Sequence, residues 1–312
     1  TRSMIMNGLN LLQQYIKEQE LTGVILISPI NLHYFAGFTG TTGFAIITQD
    51  KAFMITDFRY TEQATKQCEG YTVIQYETTV MDTLIDIFNE HHIHEGLFGI
   101  EGKQMPVDTY ETLCDTLDER FNFTSINFAK LRAVKREDEL DLLRKAAKIG
   151  DDAFAALLPQ LKVGMTENEA RIILESEMLK RGSEEPSFAT IVASGNRSSM
   201  PHGVASDKVI EAGDFVTFDF GAVYKGYHSD MTRTIVMGPA SELQKNLYGI
   251  VLEAQKRGVA AVRAGITGKE LDAVCRDYIK EHGYTKEFNH GTGHGVGLEI
   301  HEEPVANTKS DT

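Results

Sequence analysis

The first third of the chain alternates between two hydrophobic periods. Ile5, Leu9, Leu12 and Ile16 recur every three or four positions, the spacing of one helical face, and predict a helix over residues 4–18. Val24-Ile25-Leu26-Ile27 is a short unbroken apolar run and reads as a buried strand. Phe44-Ala45-Ile46-Ile47 and Ala52-Phe53-Met54-Ile55 are two more, and Gln49-Asp50-Lys51 between them predicts a hairpin. A helix near 60–67, a strand near 72–76, a helix near 80–91 and a strand near 97–100 continue the alternation. This is the pattern of an α/β domain around a mixed sheet.

The period then changes. Lys130 to Glu139 (KLRAVKREDE) is a charged linker running into an alanine-rich helix over residues 138–158, which divides the chain into domains at 1–130 and 131–312. The second domain repeats itself. Gly164-Met165-Thr166-Glu167-Asn168-Glu169 resembles Gly265-Ile266-Thr267-Gly268-Lys269-Glu270 at an offset of 101 residues. Each copy holds a T-x-x-E capping box, in which the Thr oxygen accepts from a free helix N–H and the Glu bonds back to the cap. Each predicted helix stops at a glycine, Gly182 or Gly283, at the same offset. Two similar halves are expected.

Composition narrows the possible partners. A chain of 312 residues, 42% hydrophobic and 24% charged, has the apolar mass for two cores. Its net charge of −14 repels phosphate backbones and anionic lipid, so neither nucleic acid nor membrane is an expected partner. No apolar run reaches the roughly 18–20 residues that span a bilayer, and the first residues lack the apolar core of a signal peptide. The three cysteines, Cys68, Cys114 and Cys275, form no C-x-x-C pair and sit in no His- or Gly-rich context. They fit a reducing compartment, hence a cytoplasmic location, and do not suggest a thiol nucleophile.

Candidate chemistry lies in the second domain. Phe215 to Phe220 reads as a strand with Asp219 between two phenylalanines, where an unpaired carboxylate costs several kcal/mol, of order ~3, if buried. A turn near Tyr224-Lys225-Gly226 leads to a return strand, Met231 to Val236. With Tyr224-Lys225 at the loop centre, Asp219 faces Asp230 across the hairpin. Two such carboxylates cannot both ionise without a positive charge between them, and a divalent cation supplies one. His290, His294 and His301 follow, with glycines at 291, 293, 295 and 297 that let backbone approach closely around His294. Neutral imidazole and carboxylates together form a ligand set for divalent transition metals. The glycines lack the Lys-Ser/Thr of a phosphate loop. His202, between Pro201 and Gly203, lies on a loop and joins the constellation.

Pro201-His202-Gly203, the run from Gly213 to Thr234 and the run from His290 to Pro304 closely resemble the Xaa-Pro dipeptidase / aminopeptidase P family of pita-bread metallopeptidases. Leu32 to Phe38 and Thr56 to Tyr60 resemble that family's N-terminal domain more loosely. The resemblance implies an α/β (α+β) protein, with a mixed-sheet N-terminal domain before a pseudo-symmetric pita-bread domain. It implies metal ligation by Asp219, Asp230 and His294, with Asp230 shared between two ions. Mn²⁺ or Co²⁺ is the implied metal, His202 and His301 the implied catalytic histidines, and His290 a substrate-binding one. The implied reaction is hydrolysis of the bond before proline in proline-containing peptides, and a homodimer is expected. The family carries two further Glu ligands on strands after the segment His301-Glu302-Glu303-Pro304, and this chain stops at Thr312, before them. The catalytic domain is therefore expected to be C-terminally incomplete, and a form ending at Thr312 inactive. Glu302 and Glu303 are read as ordinary polar residues, not as substitutes. Two rivals are a metal-free creatinase-like hydrolase and a non-catalytic binding module on the same fold. Both leave the Asp219, Asp230 and His294 set without a purpose.

Overall fold

The computed structural model of the chain describes residues 2–312, with side chains from residue 8 onward. Ile5 therefore lies outside the described side chains. Two compact units are present, one ending at Arg132 and one running from Ala133 to Thr312.

The first unit begins with helix α1 (Arg2–Glu18), whose Leu12 and Ile16 are fully buried. Six strands follow: β1 (Gly23–Leu26), β2 (Phe44–Thr48), β3 (Ala52–Thr56), β4 (Thr72–Gln75), β5 (Gly96–Ile100) and β6 (Phe121–Ser125). They make one mixed sheet in the order β4-β3-β2-β1-β5-β6. The β1/β2 and β2/β3 pairs are antiparallel, and the β3/β4, β1/β5 and β5/β6 pairs are parallel. Every residue of β1, β2 and β3 is buried, which is why these strands read as continuous apolar runs. Leu84, Ile87 and Phe88 of α4 (Val80–Glu90) pack with Ile25, Phe53 and Phe98 in one core cluster. Helices α2 (Pro29–Ala36), α3 (Thr61–Gln67), α5 (Val107–Thr116) and α6 (Phe128–Leu131) complete the unit. Helix α2 shows no amphipathic period because most of it is buried. Its start is instead marked by Ser28, whose hydroxyl accepts from the Asn31 N–H, and by Pro29 in the first turn.

In the second unit α7 (Glu137–Leu157) and α8 (Glu167–Lys180) cover one face of a three-stranded sheet in the order β11-β8-β7. Its strands are β7 (Ile191–Ser194), β8 (Phe215–Phe220) and β11 (Met231–Val236), all antiparallel. A small hairpin, β9 (Val223–Tyr224) with β10 (Tyr227–His228), caps the β8–β11 connection. Helices α9 (Glu242–Ala261) and α10 (Gly268–Glu281) then lead to the pair β12 (Gly293–Gly295) and β13 (Glu302–Ala306). The predicted repeat is present in detail. Thr166 and Thr267 cap α8 and α10 with φ/ψ of −81/158 and −81/157, and both reciprocal Glu bonds form. Gly182 and Gly283 follow these helices at φ 99° and 90°, the left-handed backbone that favours glycine.

Candidate metal and active site

Strand β8 places Asp219 by alternation. Val216, Phe218 and Phe220 are buried in a core with Ile149, Ala153, Leu157 and Leu174, so Thr217 and Asp219 project to the opposite face. The partner of Asp219 across the ladder is Thr232. The expected Asp219–Asp230 facing pair is therefore corrected. Lys225 (φ 48°) and Gly226 (φ 82°) form the turn, one residue later than the expected centre, and this moves each partner by two positions. A shift of two preserves the face, so Asp230 is a diagonal neighbour, still close enough for its charge to act on Asp219.

The Asp219 carboxyl carries the strain of this placement. Its Oδ1 is enclosed without a hydrogen-bond partner. Burial, and then the charge of Asp230, push its pKa up to about 6, against a hydrogen bond from Thr232 and the attraction of His294. Burial also raises Asp230, while His294 and His301 pull it down. Oδ2 of Asp230 lies 3.2 Å from Nε2 of His294, with the two side chains only 25% and 23% exposed. The other ring nitrogen, Nδ1 of His294, is 2.9 Å from the Gly295 carbonyl. A carbonyl only accepts, so Nδ1 carries the hydrogen. A neutral His294 then turns a lone pair toward a carboxylate oxygen, and either a proton or a cation must lie between them.

The donor set fits a divalent cation on these grounds: an orphaned carboxylate oxygen, two acids whose charged forms are disfavoured alone, and an imidazole with its tautomer set. Among the described residues, no group of three or more His, Cys, Asp or Glu side chains is already drawn together to hold an ion. The residues form a string, Asp219 to Asp230 to His294, extended by His301, whose ring centroid is 4.3 Å from that of His294.

His202 and His290 are not on this string; among the described residues no hydrogen bond, ion pair or ring contact joins them to it. His202 is exposed on the turn after a 3-10 segment at Gly195–Ser199. His290 is also exposed, with its ring edge-on to Phe288 at 4.9 Å. The glycine expectation holds at Gly295, where an added Cβ would sit 2.6 Å from the Glu303 carbonyl, and at Gly297, where it would strike Glu302. It fails at Gly293, which faces open space.

Three supports escaped the sequence reading. Thr232, opposite Asp219 in the ladder, pulls the pKa of its carboxyl down, a role set by register alone. Asp272 of α10 is buried and binds Arg276 through both oxygens, and its Oδ1 also accepts from the Thr292 N–H and hydroxyl. Arg276 in turn donates to the carbonyls of Phe288 at 2.6 Å and His290 at 2.7 Å, pinning the segment before His294 to the helix. Their i, i+4 spacing is visible in sequence but is shared with many surface pairs. Third, Glu302 is buried and paired with Lys135 at 2.6 Å, and also accepts from the Glu299 N–H. The reading of Glu302 as an ordinary polar residue is corrected, because β13 turns it inward beside Gly297.

Comparison with known proteins agrees with this architecture. Residues 141–312 match metallopeptidase family M24, and residues 9–134 match the creatinase/prolidase N-terminal domain. The chain is 38% identical over 308 residues to the Xaa-Pro dipeptidase of Pyrococcus furiosus, covering 96% of this chain and 85% of that one. A solved Xaa-Pro dipeptidase from Bacillus anthracis is 45% identical, with a TM-score of 0.93 over 99% of this chain and 86% of that one. The X-Pro aminopeptidase from Thermotoga maritima MSB8 is 36% identical, with a TM-score of 0.88 over 94% and 84%. With the match to that family covering more than half of its residues, the chain belongs to metallopeptidase family M24, its pita-bread domain preceded by a creatinase/prolidase N-terminal domain.

Proposed function

We propose that this chain is a dinuclear metallopeptidase that hydrolyses the bond before proline, in Xaa-Pro dipeptides or at the N-terminus of Xaa-Pro peptides. The observation that carries the reading is the string Asp219, Asp230 and His294, with an orphaned carboxylate oxygen at one end and, at the other, Nε2 of His294 3.2 Å from an Asp230 oxygen. The solved relatives named above, a dipeptidase and an aminopeptidase, support the choice of substrate class.

Asp219, Asp230 and His294 would hold two divalent ions, with Asp230, the middle member, shared. Bound there, the ions would act as Lewis acids, lowering the pKa of a water and polarising the scissile carbonyl. Mixed carboxylate and imidazole ligands suit Mn²⁺ or Co²⁺. The protein's own contribution is orientation and proton control. The Gly295 carbonyl holds the tautomer of His294 that leaves Nε2 free to ligate. Thr232 steadies Asp219. His301, its ring tilted against that of His294, and His202 would donate hydrogen bonds to the oxygen that gains charge as the amide is attacked. His290 would contact the substrate, on a segment fixed by Arg276.

The cytoplasmic location rests on three unpaired thiols, Cys68, Cys114 and Cys275. No helix among the described residues is long and apolar enough to cross a membrane. The assembly is proposed as a homodimer, measurable by light scattering. The decisive test is an assay of the full-length protein on a panel of Xaa-Pro and Xaa-Ala dipeptides after chelation and again after adding Mn²⁺ or Co²⁺. Turnover only with metal, and only before proline, is expected. Metal-independent turnover would favour a creatinase-like hydrolase, and no turnover in any condition a binding module.

A further inference from the structure

The loop that carries His202 is organised around a carboxylate outside the proposed metal and pocket set. Glu167 opens α8 and is completely buried. A buried carboxylate must be matched by donors, and Ser194, Arg197 and Ser206, from the chain around His202, supply them here. Its Oε2 accepts from the Ser194 N–H at 2.7 Å and from the Ser194 hydroxyl at 3.2 Å. Its Oε1 accepts from Arg197 Nη1 and from the Ser206 hydroxyl. Ser194 ends β7 before the loop, and Ser206 follows it. One side chain thus ties both ends of the loop.

The tie extends to the sheet row that holds Asp219. Arg197 Nη2 donates to the Val204 carbonyl at 2.9 Å, across the turn that contains His202. Val204 bridges Ile191, and Ile191 is the β7 partner of Asp219. One row therefore runs Val204, Ile191, Asp219, Thr232. Two strand spacings, about 10 Å, separate the anchor of the His202 loop from Asp219. The polar residues are arranged to fix a loop of irregular backbone to that row. An exposed histidine on such a loop has no packing of its own to hold it.

We infer that Glu167 is a positioning residue for His202, acting through Arg197, Ser194 and Ser206 to hold the loop at the Asp219 row. The inference rests on the reading of His202 as a pocket histidine. A double-mutant cycle with Glu167→Gln and His202→Ala separates the two. In the metal-loaded protein, with an Xaa-Pro dipeptide, Glu167→Gln should lower kcat by about 10-fold to 10²-fold, the cost of a misplacement near 1 Å. Metal content should stay at the wild-type level, and Glu167→Gln should add nothing on top of His202→Ala. A wild-type kcat for Glu167→Gln, or its full loss repeated in the His202→Ala background, overturns the inference while leaving His202 in place. A wild-type kcat for His202→Ala removes the reading of His202, and the inference with it. If Glu167→Gln does not fold, Ser206→Ala, which keeps the pair with Arg197, runs through the same cycle with the same criteria and a smaller expected loss of a few-fold.

Discussion

Nε2 of His294 and Oδ2 of Asp230 lie 3.2 Å apart while Nδ1 of His294 is committed to the Gly295 carbonyl. The contact brings together residues from two structural halves, the β8–β11 hairpin region and the β12–β13 pair. It requires a positive species between its atoms, and Asp219 at the far side of Asp230 is the second carboxylate able to share that charge.

Asp219→Asn and Asp230→Asn should each abolish metal binding and turnover together in the full-length protein. Each replaces an anionic ligand by a weak neutral one. Elemental analysis after dialysis, paired with a dipeptide assay, checks this. Either variant with wild-type metal content and wild-type rate would remove the dinuclear site from consideration.

Acidity provides a test on the metal-free protein. Asp219 is held at about 6 in the folded chain against an ordinary 3.8. Between these values the folded chain keeps a proton that the unfolded chain has lost. Stability should therefore fall as pH rises from about 4 to about 6 and show no further loss from this group above that. Asp219→Asn should remove the slope and raise stability at neutral pH by on the order of 1 kcal/mol, after allowance for solvent screening of a partly exposed group. Denaturant melts across pH in a chelator would show it. Parallel slopes in the two proteins would contradict it. Protons and metal compete for the same oxygens, so metal affinity should rise over the same interval.

His202→Ala and His301→Ala should lower kcat by about 10²–10³ while leaving metal content near normal, if both stabilise developing charge rather than ligate. Loss of metal in either variant would move that histidine into the ligand set.

Lys135→Ala should destabilise the protein by roughly 3–5 kcal/mol, because it removes the cation beside a buried carboxylate. Glu302 has a side chain only 1% exposed and Lys135 one 10% exposed. Lys135→Ala combined with Glu302→Gln should recover part of the loss. A change below about 1 kcal/mol in the single variant, the scale of a surface ion pair, would show that Glu302 finds other solvation.

Thiol chemistry should single out Cys114. It is exposed, whereas Cys68 and Cys275 are buried. Burial pushes the Cys68 thiol up to about 12 and raises Cys275 as well. Labelling near pH 7.5 should modify Cys114 quickly, and the other two only in denaturant. Fast native labelling of Cys68 would contradict the packing around it.

Some of this was visible in the chain itself. The repeat of capping boxes and stop glycines announced α8 and α10, because helix ends are satisfied by residues within a few positions. The alternation of Val216, Phe218 and Phe220 with Thr217 and Asp219 set the face on which the carboxylate stands. Helix α2 was hidden because Ile30-Asn31-Leu32-His33-Tyr34 alternates apolar and polar residues with the period of a strand, and Asn31 is buried along with the apolar side chains.

The sequence by itself determined on which strand face or glycine-rich segment the proposed ligands Asp219, Asp230 and His294 sit. Those are local properties, set by periods of two and 3.6 and by turn chemistry. Only the tertiary structure decided that Thr232 rather than Asp230 faces Asp219, since that depends on the backbone of Lys225 and Gly226. It alone buried Glu302 against Lys135 and wrapped the His202 loop around Glu167. Such contacts join residues far apart in the chain. What makes a carboxylate costly or useful is the burial and the donors around it, and no sequence period encodes these.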